Sequence, residues 1–210
     1  MKTDGIIFDM DGTIWDTCVE VARTWSEEMA RIGVNKTFTV EVIRSCMGML
    51  MEDFAAKAMR EIDADKRIPY LKQCCAYENE YLAEHGGNLF HGVIQTLEKL
   101  SEKYPLFIVS NCQAGYIEAF FQGHHTEKYF KDYENPGRTG LDKAGNIRLI
   151  AQRNHLKAPV YVGDTSGDME ACKKAGVPFI YAAYGFGEVD AGDYDAKIDS
   201  FDQLCDLFIK

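Results

Sequence analysis

An α/β fold is predicted here: a doubly wound parallel sheet with a small helical insertion after its first strand. Three observations predict it. The chain opens on a short apolar run, Ile6-Ile7-Phe8, that leads directly into Asp9 and Asp11. Such runs bounded by turn residues suit strands buried on both faces of a parallel sheet. Residues 14–88 then carry helical spacing with no strand between. After His91-Gly92, helix and strand patterns alternate to the end of the chain, the rhythm of βαβ units.

Residues 2–8 form the predicted first strand. From Thr17 to Ile32, Val19, Val21, Ala22, Trp25, Met29 and Ile32 recur at spacings of three and four, with Asp16 or Thr17 placed to cap the helix and Gly33 to end it. A second helical stretch begins at Thr39 and stops near Gly48, and a third runs from Met51 to Ile62. Pro69 is expected in the first turn of a fourth helix that reaches Gly86-Gly87. The helix Val93–Lys103 precedes a strand over 105–110, and a helix over 116–121 follows. The stretch 130–135 reads as a short strand. Residues 142–155 are helical, Pro159–Gly163 is an apolar strand, and Met169–Ala175 is a helix. Strands at 178–183 and 196–198 and a helix over 201–209 close the chain. The division expected is a Rossmann-like core of residues 1–13 and 89–210 with a helical cap of residues 14–88.

Composition narrows the function. The 210 residues carry a formal charge of −10, so there is no global basic field for nucleic acid. Anions can be held only at a local site, by a metal ion, a few lysines or backbone amides. The seven cysteines form no Cys-x-x-Cys pair and are odd in number, as expected of reduced thiols in a cytoplasmic protein. No apolar segment approaches the length of a membrane span, and no signal sequence is evident.

The predicted strand ends hold the chemistry. In doubly wound sheets the ligand crevice lies at the carboxyl ends of the strands. Asp9 and Asp11 follow the first strand, and their mutual repulsion would be relieved by a bound cation. Ser110-Asn111 ends the second core strand. Lys143 begins the helix before the next apolar strand, which ends in Gly163-Asp164-Thr165-Ser166-Gly167-Asp168.

Asp9-x-Asp11-Gly12-Thr13, Ser110, Lys143 and the segment 163–168 resemble, in order and spacing, the four motifs of the haloacid dehalogenase-like hydrolase superfamily. The helical insertion resembles the type-1 cap of its phosphoglycolate phosphatase-like branch. The resemblance implies a Mg2+-dependent phosphatase that hydrolyses a small phosphorylated metabolite through an aspartyl phosphate. Asp9 would be the nucleophile and Asp11 the acid/base. Ser110, Asn111 and Lys143 would bind phosphate. Asp9, Asp11 and Asp164 would hold Mg2+, with Thr13 and Asp168 in support, Asp168 directly on the metal or through water. The cap, with Arg44, the loop 46–50 and a hinge near Trp15 as candidates, would face the rest of the substrate. The sequence leaves the oligomeric state open.

Duller readings exist for single residues. Ser110 and Asp168 also suit helix caps, and Lys128 or Lys131 could take the place of Lys143. The five histidines have no metal-ligand spacing. Cys112 and the run Met47-Gly48-Met49-Leu50-Met51 read as packing.

Rival functions separate on particular residues. A phosphomutase similar to beta-phosphoglucomutase usually carries a cap histidine, absent from Asp16 to Arg31, and commonly Glu where Gly163 stands. A 2-haloacid dehalogenase lacks the acid/base that Asp11 provides. A non-enzymatic module of the response-regulator type has no such insertion, and its phosphorylated aspartate lies further along. A catalytically dead regulatory relative would lack motif residues that are all present here.

Overall fold

The computed structural model describes residues 2–209. Strand β1 (Gly5–Phe8) is followed by a two-residue strand β2 (Trp15–Asp16) and then by helices α1 (Cys18–Arg31), α2 (Val40–Arg44), α3 (Met51–Ala58) and α4 (Ala64–His85). A second two-residue strand, β3 (Asn88–Leu89), pairs antiparallel with β2. The core continues with α5 (Val93–Ser101), β4 (Leu106–Val109), α6 (Tyr116–His124), β5 (Phe130–Glu134), α7 (Pro136–Thr139), α8 (Lys143–Arg153), β6 (Pro159–Gly163), α9 (Ser166–Ala175), β7 (Phe179–Ala182), β8 (Ala196–Ile198) and α10 (Leu204–Phe208).

Six strands form one sheet in the order β5-β4-β1-β6-β7-β8, every neighbouring pair parallel. From β1 the chain builds outward through β4 and β5, then returns to the other side of β1 for β6, β7 and β8. The crevice at this change of direction opens beside the carboxyl end of β1. Successive β1 side chains point to opposite faces. Ile6 and Phe8 join the cluster under α5, α6 and α10, and Ile7 joins the one under α8 and α9. Phe8 is wholly buried, with ring centroids 5.6 Å from Phe201 and 6.4 Å from Phe130. Burial of a phenylalanine of this kind stabilises by about 2–3 kcal/mol.

The cap has its own apolar cluster. Cys18, Val21, Ala22, Trp25 and Met29 give α1 one buried stripe at spacings of three and four. They meet Phe54 and Ala58 of α3 and Leu71, Cys74 and Cys75 of α4.

Several expectations are corrected. The insertion is not all helix, because β2 and β3 form a ribbon at its root; two residues give no readable alternation. Pro69 lies inside α4 rather than in its first turn, since the helix already begins at Ala64. Helices α2 and α3 end at Arg44 and Ala58, short of Gly48 and Ile62. The short helix α7 was not predicted: Pro136 starts it and Asn135 caps it by accepting from the Arg138 N–H. The predicted final helix is a 3-10 turn, Phe201–Gln203, followed by α10. All seven cysteines are unpaired. Among the described residues, no helix is long and apolar enough to cross a membrane.

Candidate active site

Asp9 follows β1 directly, and its N–H donates to the Val162 carbonyl of β6 at 2.9 Å. The end of β1 is thereby fixed against the strand that delivers Asp164. Lys143 is the first residue of α8. Asp142 caps that helix by accepting from the Gly145 N–H at 2.7 Å. From there the buried ammonium donates to Asp9 Oδ1 at 3.1 Å and to Asp168 Oδ1 at 2.5 Å. Lys128 and Lys131 are exposed.

Asp168 is fully engaged. Besides Lys143, its Oδ1 accepts from Tyr161 Oη at 3.3 Å, and its Oδ2 accepts from the Thr165 N–H at 3.0 Å and Thr165 Oγ1 at 2.6 Å. Thr165 in turn accepts from the Asp168 N–H, so the two residues cap the start of α9 reciprocally. A Cβ at Gly163 would collide with the Asp168 side chain, so a larger residue there would displace this anchor.

Asp164 lies within the same cluster. One of its oxygens accepts from the Phe186 N–H at 2.7 Å, and the other lies 3.4 Å from Thr13 Oγ1. Gly12 has φ +82°, and a Cβ there would run into the Asp164 carboxylate. Only glycine satisfies both the backbone and the close approach. Carboxylate oxygens of Asp9, Asp164 and Asp168 lie within 4.8 Å of one another, all three residues buried.

Charge balance follows from these contacts. Burial raises Asp9 to about 6, against the opposing pull of Lys143. Burial, reinforced by the neighbouring Asp168 and Asp9, holds Asp164 well above the usual carboxylate range. Burial works against ionisation of Asp168 too, but Lys143 and the Thr165 donors outweigh it and hold that carboxyl low. For Lys143, burial opposes the charge and the two carboxylates overcome it, so the ammonium stays protonated. Asp9 shares its cation, Lys143, with Asp168, and among the described residues Asp164 has no ion-pair partner, so the cluster holds more negative than positive charge when ionised. An all-oxygen donor set of this kind fits Mg2+, whereas Asp168 has its oxygens committed to Lys143 and Thr165.

Asp11 points the other way, toward the cap. Tyr116 Oη donates to its Oδ1 at 2.7 Å, and Thr17 Oγ1 lies 3.0 Å from the same oxygen and 2.8 Å from the phenol. Burial raises the Asp11 carboxyl to about 7, although the Tyr116 hydrogen bond pulls it down. Ser110 is buried at the end of β4, and its hydroxyl favours the ionised form of Asp9. The Asn111 side chain reaches the cap: its Nδ2 donates to the Gly48 carbonyl at 3.0 Å, and its buried Oδ1 has no partner. Trp15 stands in the ribbon, packed edge-on against Tyr116 and Phe120. Arg44 pairs with Asp16 at 2.9 Å and lies over the Phe186 ring.

Thr17, Tyr116 and Phe186 were not singled out as site residues from the sequence. Tyr116 and Phe186 arrive through long-range contacts, Thr17 lies six residues from Asp11, and none belongs to a motif. Glu78 was also missed, but it left a signal. It falls on the stripe Leu71, Cys74, Cys75, Glu78, Leu82, the buried face of α4, where a charged residue is out of place.

An acidic, lysine-bridged crevice at the carboxyl edge of a parallel sheet, under a helical cap, marks a class of hydrolases. The chain belongs to the haloacid dehalogenase-like hydrolase family, whose sequence pattern matches residues 6–182. Within that family it falls in the branch of phosphatases that resemble phosphoglycolate phosphatase. The phosphoglycolate phosphatase of Photobacterium profundum is 24% identical over 216 residues, covering 96% of this chain and 94% of its own. That of Escherichia coli K12 is 26% identical over 235 residues, covering 97% and 90%. In fold, the chain is similar to a haloacid dehalogenase-like hydrolase from Streptococcus pneumoniae (TM-score 0.82, 22% identity, 98% of each chain). It is also similar to CbbY from Rhodobacter sphaeroides, solved in complex with phosphate (TM-score 0.79, 19% identity, 97% of this chain and 96% of that one).

Proposed function

We propose that this protein hydrolyses a small phosphomonoester through a phosphorylated Asp9, with Mg2+ as cofactor. One observation carries the reading: Lys143, which begins α8, reaches across to Asp9 at the end of β1, so residues 134 positions apart converge on one carboxylate. Asp9 and Asp164, together with the Asp11 main-chain carbonyl, are the residues to hold Mg2+. When bound, the ion would offset the negative charge of phosphate and carboxylates.

In the first step an Asp9 oxygen attacks phosphorus as the ester P–O bond breaks. The leaving alkoxide takes a proton from the Asp11 carboxylic acid and departs as the alcohol. A carboxyl raised by burial to about 7 still holds its proton near neutral pH, as this role requires. In the second step the Asp11 carboxylate takes a proton from water. The water oxygen attacks phosphorus, and the bond to Asp9 breaks, returning both carboxyls to their starting forms. Lys143 neutralises charge on Asp9 and on the phosphate oxygens. Ser110 and the backbone at Asn111 bind phosphate oxygens. Thr13 supports Asp164, and Asp168 holds Lys143 in place.

The test is release of inorganic phosphate from p-nitrophenyl phosphate. Turnover is expected with Mg2+, with loss on addition of EDTA and recovery on returning Mg2+. Asp9→Asn, nearly the same in shape, should lower turnover by roughly a thousandfold or more. Full activity in that variant would overturn the mechanism.

A further inference from the structure

Three glutamates of this chain are deeply buried: Glu28, Glu78 and Glu134. Glu28 pairs with Arg31 at 2.6 Å, and Glu134 pairs with Arg153 at 2.8 Å and Arg138 at 3.4 Å. The buried aspartates sit around Lys143 and the proposed metal site. Among the described residues, Glu78 alone of these buried carboxyls has no cation. Its Oε2 accepts from the Trp25 indole N–H at 2.6 Å, and the Gln113 side chain also favours its ionised form. Buried charges are rarely left without a counter-ion, because the desolvation cost is several kcal/mol.

The location of Glu78 says what could supply one. It lines a small chamber of about 30 Å³ between cap and core, together with Asp11, Trp25, Phe54, Asn111 and Tyr116. Among the described residues no lysine or arginine lines this chamber. A groove of about 800 Å³ shares Met51, Asn111, Cys112 and Gln113 with the chamber and opens between α4 and the core loops. If Asp11 protonates the leaving oxygen, the part of the substrate beyond that oxygen extends past the chamber and Glu78 toward the adjoining groove, since the chamber alone has the volume of about one water. This step rests on the function proposed above.

We propose that Glu78 selects the alcohol portion of the substrate, and that the portion it selects carries a protonated amine rather than a carboxylate. Trp25 donates to Glu78, so once ionised this carboxylate has capacity only to accept, and its complement in the substrate is then a donor. An ammonium satisfies this and supplies the missing charge. Trp25, Phe54 and Tyr116 give the chamber an aromatic lining. With no cation present, burial pushes the Glu78 carboxyl up to about 8, and an ammonium alongside would draw that proton off. A substrate carboxylate would be desolvated next to Glu78 and Asp11 with no basic side chain to receive it. The chamber is thus poorly suited to 2-phosphoglycolate, the compound for which the relatives in Photobacterium and Escherichia are named.

Three phosphomonoesters of nearly equal size decide this: O-phosphoethanolamine, 2-hydroxyethyl phosphate and 2-phosphoglycolate, whose alcohol portions end in a positive, a neutral and a negative group. For the full-length protein with Mg2+, kcat/KM should fall in that order, with the first exceeding the last on the order of a hundredfold. In Glu78→Gln, which keeps an acceptor for Trp25, the spread should shrink to a few-fold, mainly through KM. A merely structural Glu78 would lower all three rates together and leave their order intact. The inference is overturned if 2-phosphoglycolate equals or exceeds O-phosphoethanolamine in the wild-type protein, a result that needs no variant to fold. It is also overturned if the order persists in Glu78→Gln, or if p-nitrophenyl phosphate is cleaved and none of the three is. Failure to cleave p-nitrophenyl phosphate as well would instead overturn the phosphatase reading beneath it.

Discussion

In the core, Asp9 and Asp168 close on the Lys143 ammonium at 3.1 and 2.5 Å; in the cap, Glu78 is buried to the same degree and meets an indole and an amide. Both regions place carboxyls where water is excluded, yet they balance the charge differently. The core brings its own cation from α8, so the geometry around Asp9 is set before any ligand arrives, which is what a reaction common to a whole family requires. The cap leaves its carboxyl uncompensated, so its preferred state depends on what enters. In the proposed reaction, the difference assigns one part of the molecule to the bond that breaks and the other to the molecule that carries it.

The largest change expected is from removing the core's own cation. Lys143→Met keeps the volume but leaves Asp9 and Asp168 facing each other, and breaking a buried pair in this way costs about 3–5 kcal/mol. The melting temperature should drop clearly, and phosphate release should fall by roughly two to three orders of magnitude. Stability close to wild type would show that Lys143 does not compensate the cluster. In the sequence Lys143 stands at a helix start, and its place beside Asp9 is what the family resemblance implies, with Lys128 or Lys131 as alternatives.

A smaller effect is expected where core and cap meet. Tyr116→Phe removes the 2.7 Å hydrogen bond that holds the Asp11 carboxylate, while its ring packing against Trp15 is kept. Since that bond favours the ionised form, the Asp11 carboxyl should titrate higher in the variant. The alkaline limb of the rate profile, where the acid loses its proton, should shift to higher pH, with a loss in maximal rate of about tenfold or less. An unshifted profile would remove Tyr116 from the positioning of Asp11.

The smallest effect concerns stability and tests the cap alone. Glu78 is raised from an ordinary value near 4.5 to about 8, so between these values the folded chain binds more protons than the unfolded one. Stability contributed by this group is greatest below about pH 4.5 and is lost as pH rises toward 8. Asp9 and Asp11 act in the same sense toward about 6 and 7. In EDTA the melting temperature should fall from pH 5 to pH 8, and Glu78→Gln should reduce that fall. An identical slope in the variant would show that Glu78 is already ionised in the folded state without a ligand.

The motif aspartates, the lysine and the alternation of the core could be read from the chain because each depends on local pattern: an apolar run, a turn residue, a helix start. Asp168 illustrates where local pattern stops. As an acid three residues after Thr165 it reads equally as a helix cap or a metal partner. In the structure it is the cap and also the anchor of a lysine 25 positions earlier, beside Asp9 and Asp164. Tyr116 carries no signature of its role, since its pairing with Asp11 depends on how α6 packs, and Thr17 reads only as a candidate cap of α1 although its hydroxyl reaches Asp11. Glu78 is the intermediate case: its place on an apolar stripe is visible in the sequence, but the stripe alone does not say whether an arginine will meet it.

By itself, then, the sequence determined the alternating core and the helical insertion, because hydrophobic periodicity and turn chemistry act over a few residues, while the roles of its four motif segments came from their resemblance to the family's motifs. Tertiary structure alone decided which buried carboxyls receive a cation. Charge compensation acts over a few ångströms of space between residues that may be any distance apart in the chain. Lys143 and Asp9 are brought together by strand order, while Glu78 meets no cation among the described residues, Arg23, Arg31 and Arg44 pairing with other acids and Arg67 with a backbone carbonyl.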